Sequence, residues 1–143
     1  MPEAKRTIII NAPASVLFNV ITDYEKYPEF LREVEKIEVL SRGGGKARVR
    51  YTVNLIKRVQ YTIDLTETEH SSVRWTLVES GIMKFNDGGW ALRDLGDGRT
   101  EATYGLEVRP KGVFVPKRII SMLTDKSLPS TLDAFKKRAE AQA

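Results

Sequence analysis

The chain has 143 residues, a length that suits one domain burying roughly 68–70% of its unfolded surface around a core that needs no covalent staples. It has no cysteine, which removes disulfides, thiolate nucleophiles and CxxC metal or redox sites, and one histidine, which removes a His-pair metal site. Lys and Arg outnumber Asp and Glu by 23 to 19, and this net charge of +4 is spread along the chain, so a mixed solvated surface is expected.

The longest apolar runs, "TIII" and "GVFVP", fall far below the roughly 20 residues that span a bilayer, and no signal-peptide core follows Met1. A soluble, cytoplasmic protein is expected, with residues 1–143 forming a single domain. "AKRTIIIN" (4–11) reads as a β-branched strand, and "NAP" leads into a helix with Pro13 at its favoured first position. Leu17, Val20, Ile21 and Tyr24 share one face of that helix. Pro28 ends it near residue 22 or 23 and starts a second short helical piece over 24–31, where Tyr24, Tyr27 and Phe30 gather.

From residue 33 the period becomes two, the pattern of an antiparallel meander. "VEKIEVLS" breaks at Gly43, Gly44 and Gly45. Ala47, Val49, Tyr51, Val53 and Leu55 then lie on one face, with Arg48, Arg50, Thr52 and Asn54 on the other. After a turn at 56–58, Val59, Tyr61, Ile63 and Leu65 repeat the pattern. After "ETEHSS", Val73, Trp75 and Leu77 do so again. Trp90 and Leu92 continue the dry face, "LGDGRT" makes a hairpin, and Ala102, Tyr104, Leu106 and Val108 close the sheet. From Pro116 a long amphipathic helix carries Ile119, Ile120, Leu123, Leu128, Leu132, Phe135 and Ala139, with a kink or restart at Pro129. The fold class is therefore α+β: a curved seven-stranded antiparallel sheet around a long C-terminal helix, with two short helices between strands 1 and 2.

One stretch breaks the parity. In "SGIMKFNDGGWAL" Met83 and Phe85 are odd while Trp90 and Leu92 are even, so a flat strand cannot bury all four. A β-bulge at Asn86, Asp87, Gly88 or Gly89 would restore the register, after a turn at Ser80 and Gly81. Ile82 is then placed near a pocket mouth.

The motifs "INAPASVLFNVITDYEKYPEFL", "GIMKFNDGGWALRDLGDGRTEATYGLEV" and "LPSTLDAFKKRAE" resemble the START-like (SRPBCC) superfamily, in its polyketide cyclase/dehydrase and lipid-transport branch, which includes coenzyme Q-binding proteins. The resemblance covers nearly the whole chain and implies a helix-grip fold. It also implies a cavity between sheet and C-terminal helix for quinones, sterols, lipids or polyketides. Members also include bacterial relatives assigned to ribosomal-subunit association.

On that basis the dry face becomes a candidate pocket wall. Tyr51, Tyr61 and Tyr104 would orient the polar end of a ligand, beside Trp75 and Trp90. Val53, Ile63, Leu77, Met83, Phe85, Leu92 and Leu106 would complete the sheet side, and Ile120 and Leu123 the helix side. A filled aromatic core is the alternative. The inward parity offers almost no titratable group: Arg48, Arg50, Asp64, Arg74, Glu101 and Glu107 read as outward, and Glu79 as a solvated strand end.

Non-catalytic binding of a hydrophobic small molecule is therefore expected, with no catalytic residue, cofactor or metal. A cyclase or dehydratase, or a ribosome-association protein, is the alternative. His70 reads as an exposed turn residue, and "RGGGKAR" as a hairpin, since it lacks the spacing of a phosphate loop. Lys111, Lys117, Arg118, Lys126, Lys136, Lys137 and Arg138 form a solvated helix face or a transient contact for anionic lipid or ribosomal RNA; DNA is not an expected partner.

Overall fold

The computed structural model describes residues 3–54, 57–112, 117–123 and 128–143. The expectations for Leu55, Pro116 and Lys126, and those for the side chains of Ile120 and Leu123, lie outside the described residues.

Strand β1 (Glu3–Ile10) is followed by helix α1 (Ala14–Thr22) and a 3-10 helix (Tyr24–Glu29). Pro13 caps α1 in an extended conformation and so stands one residue before the expected first helical position; its carbonyl accepts the N–H groups of Val16 and Leu17. Six strands follow: β2 (Val34–Gly43), β3 (Lys46–Asn54), β4 (Arg58–Thr68), β5 (Ser72–Ser80), β6 (Met83–Asp94) and β7 (Thr100–Pro110). They form one antiparallel sheet in the order β1-β7-β6-β5-β4-β3-β2, so α1 and the 3-10 helix carry the chain from one sheet edge to the other. Gly44 and Gly45, with φ of 61° and 76°, make the two-residue β2–β3 turn, whose type needs positive φ at both positions.

The C-terminal helical segment consists of helix α2 (Lys117–Leu123) and helix α3 (Leu128–Gln142), the second starting where a kink or restart was expected. Pro129 is the second residue of α3, where its missing N–H has no intrahelical partner to lose. Leu132, Phe135 and Ala139 on α3 are buried, and α3 packs against α1 and β1. The core therefore lies between the concave sheet face, α1 and α3. Among the described residues no helix is long and apolar enough to cross a membrane.

The stretch 80–92 bends differently from the expectation. Ser80 turns the chain, its Oγ accepting the N–H groups of Ile82 and Met83. The irregularity then falls between Met83 and Phe85, with Lys84 as the extra residue, and the register against β7 is continuous from Asn86 to Asp94. The extra residue exists, but not at 86–89. Gly88 and Gly89 serve close approach instead: a Cβ on Gly88 would lie 2.4 Å from the Gly105 carbonyl oxygen, and one on Gly89 2.6 Å from that of Val73.

This shift inverts two neighbours. Asn86, a polar residue, is buried, while Phe85 turns to the outer face, where the Arg109 guanidinium stacks 4.6 Å from its ring centroid.

Candidate functional site

A cavity of about 110 Å³ lies between the sheet and α3. Its sheet wall is Tyr51 and Val53 from β3, Tyr61, Ile63 and Leu65 from β4, Val73 and Trp75 from β5, Asn86 and Trp90 from β6, and Tyr104 and Leu106 from β7. Alternation along five antiparallel strands puts these side chains on one face. Ile21, Tyr27, Leu31, Glu33 and Val34 close one end, and Met122, Thr131 and Phe135 form the helical side.

Of the side chains expected on the wall, Tyr51, Val53, Tyr61, Ile63, Trp75, Trp90, Tyr104 and Leu106 meet there. Four do not. Phe85 is outward because the bulge precedes it. Met83 is buried but lies beyond Asn86, away from the cavity. Leu77 and Leu92 pack half-buried on the core without reaching it. Ile82 also packs on the core and does not line the cavity.

The wall is an aromatic lattice. Tyr51 and Tyr61 stack with centroids 5.1 Å apart and planes 8° from parallel. Trp90 meets Tyr104 at 4.9 Å and Phe135 at 5.0 Å, both edge to face, and Tyr27 meets Phe135 at 5.4 Å. Most polar atoms in this lattice are satisfied internally. The Trp75 indole N–H donates to Asn86 Oδ1 at 3.0 Å, and the Tyr27 hydroxyl to the Ile21 carbonyl at 2.5 Å. At the rim, the Tyr24 hydroxyl donates to Glu67 at 2.6 Å, and Arg42 lies over the Tyr24 ring.

Two hydroxyls differ. Those of Tyr61 and Tyr104 have no hydrogen-bond partner among the described residues, yet no fully buried side-chain polar atom there is left unpaired. Both oxygens are therefore accessible, and both side chains line the cavity. Burial raises the pKa of each phenol above the ordinary tyrosine value; Tyr104 and then Glu33 add to the effect on Tyr61, and Glu33 adds to that on Tyr104.

Glu33 is a carboxylate that sequence parity assigned to neither face; it stands just before β2, at the residue where the two-residue period begins. It is half-buried, accepts a long 3.4 Å hydrogen bond from the Thr131 hydroxyl, and has no ion pair among the described residues. Glu33, Leu31 and Thr131 also line an outer groove of about 540 Å³ that includes Phe30, Arg32, Ala134 and Arg138. These three residues therefore separate cavity from groove. Asn86 was missed for a different reason, since an inward amide is tolerable only through partners that the alternation does not show: its Oδ1 accepts from the Trp75 indole and its Nδ2 donates to Met83 Sδ at 3.7 Å.

The basic residues of α3 are largely neutralised. Lys136 pairs with Glu140, Lys137 with Asp133 at 3.0 Å, and Arg138 with Glu29 at 2.7 Å. His70 sits exposed in its turn with φ 59°, its ring edge-on to Phe18 at 5.6 Å.

The sequence model for polyketide cyclase / dehydrase and lipid transport proteins matches residues 10–136, from the end of β1 into α3. The chain belongs to that family. A curated relative from Pseudomonas aeruginosa, described as ribosome association toxin RatA, is 27% identical over 139 residues, covering 95% of this chain and 94% of the relative. Among solved structures, the Zhui aromatase/cyclase of a Streptomyces species superposes with a TM-score of 0.87 at 20% identity, covering 96% of this chain and 93% of that one. A START superfamily protein of Mycobacterium smegmatis superposes with a TM-score of 0.85 at 18% identity, each chain covered completely at 100%. At these identities the likeness is one of fold, and it establishes the START-like helix-grip architecture that the family motifs implied.

Proposed function

We propose that this protein is a cytoplasmic, non-catalytic carrier that holds a hydrophobic small molecule of quinone, lipid or polyketide type between its sheet and α3. The supporting observation is the pair of Tyr61 and Tyr104 hydroxyls, accessible and without partners among the described residues, on a wall that is otherwise aromatic and aliphatic. An apolar surface with a few convergent polar groups is what a greasy ligand with one polar end requires. Apolar area buried at about 25 cal/mol per Å² supplies the affinity, and the phenols supply the orientation.

The cavity of about 110 Å³ is smaller than the roughly 300–1,000 Å³ of most ligand pockets. A quinone or lipid therefore enters by parting Leu31, Glu33 and Thr131, which merges the cavity with the outer groove of about 540 Å³. The polar end then sits among the tyrosines and the tail runs along Phe30 and Ala134. The phenols of Tyr61 and Tyr104 are held neutral by burial, which suits them to hydrogen bonding more than to proton transfer at neutral pH.

Native mass spectrometry of freshly purified protein is expected to retain a small molecule. Quenching of Trp75 and Trp90, both on the wall, is expected to report rebinding of a ubiquinone analogue or a long-chain alcohol. Delipidated protein that binds neither would overturn the reading.

The relation to the ribosome-association toxin supports a second reading, an interaction protein of the ribosome. Salt-sensitive cosedimentation with ribosomal subunits tests it, and absence of binding at low salt rejects it.

A further inference from the structure

Glu33 stands apart from the other polar groups of the cavity. The Tyr27 hydroxyl and the Trp75 N–H are bonded within the protein, whereas Glu33 has one long bond to Thr131 and no ion pair among the described residues; Arg32, Lys137 and Arg138 line the outer groove it borders, the last two already paired with Asp133 and Glu29. It lies at the junction of cavity and groove, so any ligand that spans the two must pass its carboxylate. Its charge reaches the Tyr61 and Tyr104 phenols across the cavity.

These three groups impose complementary demands. Neutral phenols donate to an acceptor such as a carbonyl or hydroxyl oxygen, and a carboxylate only accepts. A neutral ring compound with a hydroxyl donor beside an acceptor satisfies all three. An anionic amphiphile can use the phenols, but it brings a second negative charge next to Glu33 at a half-buried position, where like charges repel more than they do in bulk water.

We propose that Glu33 is the specificity-determining residue of this cavity, selecting neutral hydroxyl-bearing ring compounds and rejecting carboxylate amphiphiles such as fatty acids. The inference rests on the reading of the cavity as a ligand site.

Calorimetric titration with para-propylphenol and para-propylbenzoate at neutral pH tests it, because the two probes share their apolar body and differ in the charge of one substituent. The wild-type protein is expected to bind the phenol at least about tenfold more tightly than the benzoate. Glu33→Gln keeps the shape and the contact to Thr131. It is expected to reduce that preference to about threefold or less, mainly by improving the benzoate. Tyr61→Phe is expected to weaken both probes.

Equal affinity of the wild type for the two probes, or a preference that Glu33→Gln leaves unchanged, overturns the role of Glu33 alone. Failure of both probes to bind the wild type overturns the ligand-site reading, and this inference with it; binding of the phenol alone, with benzoate binding appearing in Glu33→Gln, is the expected result in its strongest form. A thermal melt of each variant confirms folding before the titrations are compared.

Discussion

The indole N–H of Trp75 donates a 3.0 Å hydrogen bond to Oδ1 of Asn86 across the concave face of the sheet. Both residues are buried, and this bond helps an amide to stand at an inward position while Phe85 lies outside. Asn86→Leu removes the acceptor and leaves a buried N–H unpaired, so a loss of about 1–3 kcal/mol is expected in urea denaturation. Phe85→Ala, which loses one cation–π contact at the outer face, is expected to cost about 1 kcal/mol or less.

Gly88→Ala tests the close approach of β6 to β7. The new Cβ would lie 2.4 Å from the Gly105 carbonyl oxygen and 2.8 Å from Leu106 Cβ, so backbone has to move. A loss of about 1–3 kcal/mol is expected by the same denaturation measurement, with Gly81→Ala, where a Cβ meets nothing within 4 Å, as the mild control.

All five tyrosines of the chain, Tyr24, Tyr27, Tyr51, Tyr61 and Tyr104, have pKa values raised above the ordinary 10.0, with burial as the largest cause in each. A phenol raised in the fold contributes stability that is present below its unfolded value and lost as pH rises toward its folded value. Phenolate absorbance near 295 nm is therefore expected to stay low at about pH 10, where free tyrosine is half ionised, and to appear together with the loss of circular dichroism at higher pH. Gradual ionisation with the fold intact would show that the phenols are solvated.

Phe135 is the α3 side chain that closes the aromatic lattice, touching Tyr27, Phe30 and Trp90. Phe135→Ala is expected to cost about 3–5 kcal/mol in stability. It also enlarges the cavity, so the variant, if kept below its melting temperature, is expected to bind a bulkier quinone analogue more tightly than the wild type does. Unchanged or weaker binding would mean that the helix side does not limit ligand size.

Much of the wall was legible in advance. Tyr51, Tyr61, Trp75 and Tyr104 occupy strands whose apolar residues alternate clearly in the sequence, and parity placed them on one face despite a register shift between β4 and β5 at Thr62 and Ile63. Phe85 was misplaced because hydrophobicity alone favoured it over Asn86, and the stabilising partners of each, Arg109 for the ring and Trp75 for the amide, are distant in sequence. The bulge at Lys84 could be inferred to exist but not located, since a one-residue shift at any point between Met83 and Trp90 gives the same change of phase. Glu33, at the very start of the two-residue period, was assigned to neither face. It lies between the 3-10 helix and β2, where the chain rejoins the sheet at its other edge, and its hydroxyl neighbour Thr131 is contributed by α3.

The sequence by itself determined the order of elements, the two faces of the sheet and the family, because period, turn glycines and prolines act within a few residues of one another. Tertiary structure decided what the dry face encloses. Whether seven strands and a helix leave a void depends on how closely the strands approach at Gly88 and Gly89 and how Phe135 packs against Tyr27 and Trp90. It also depends on which polar groups from distant segments are left facing the space, and these distances are set by packing between layers that no local pattern encodes.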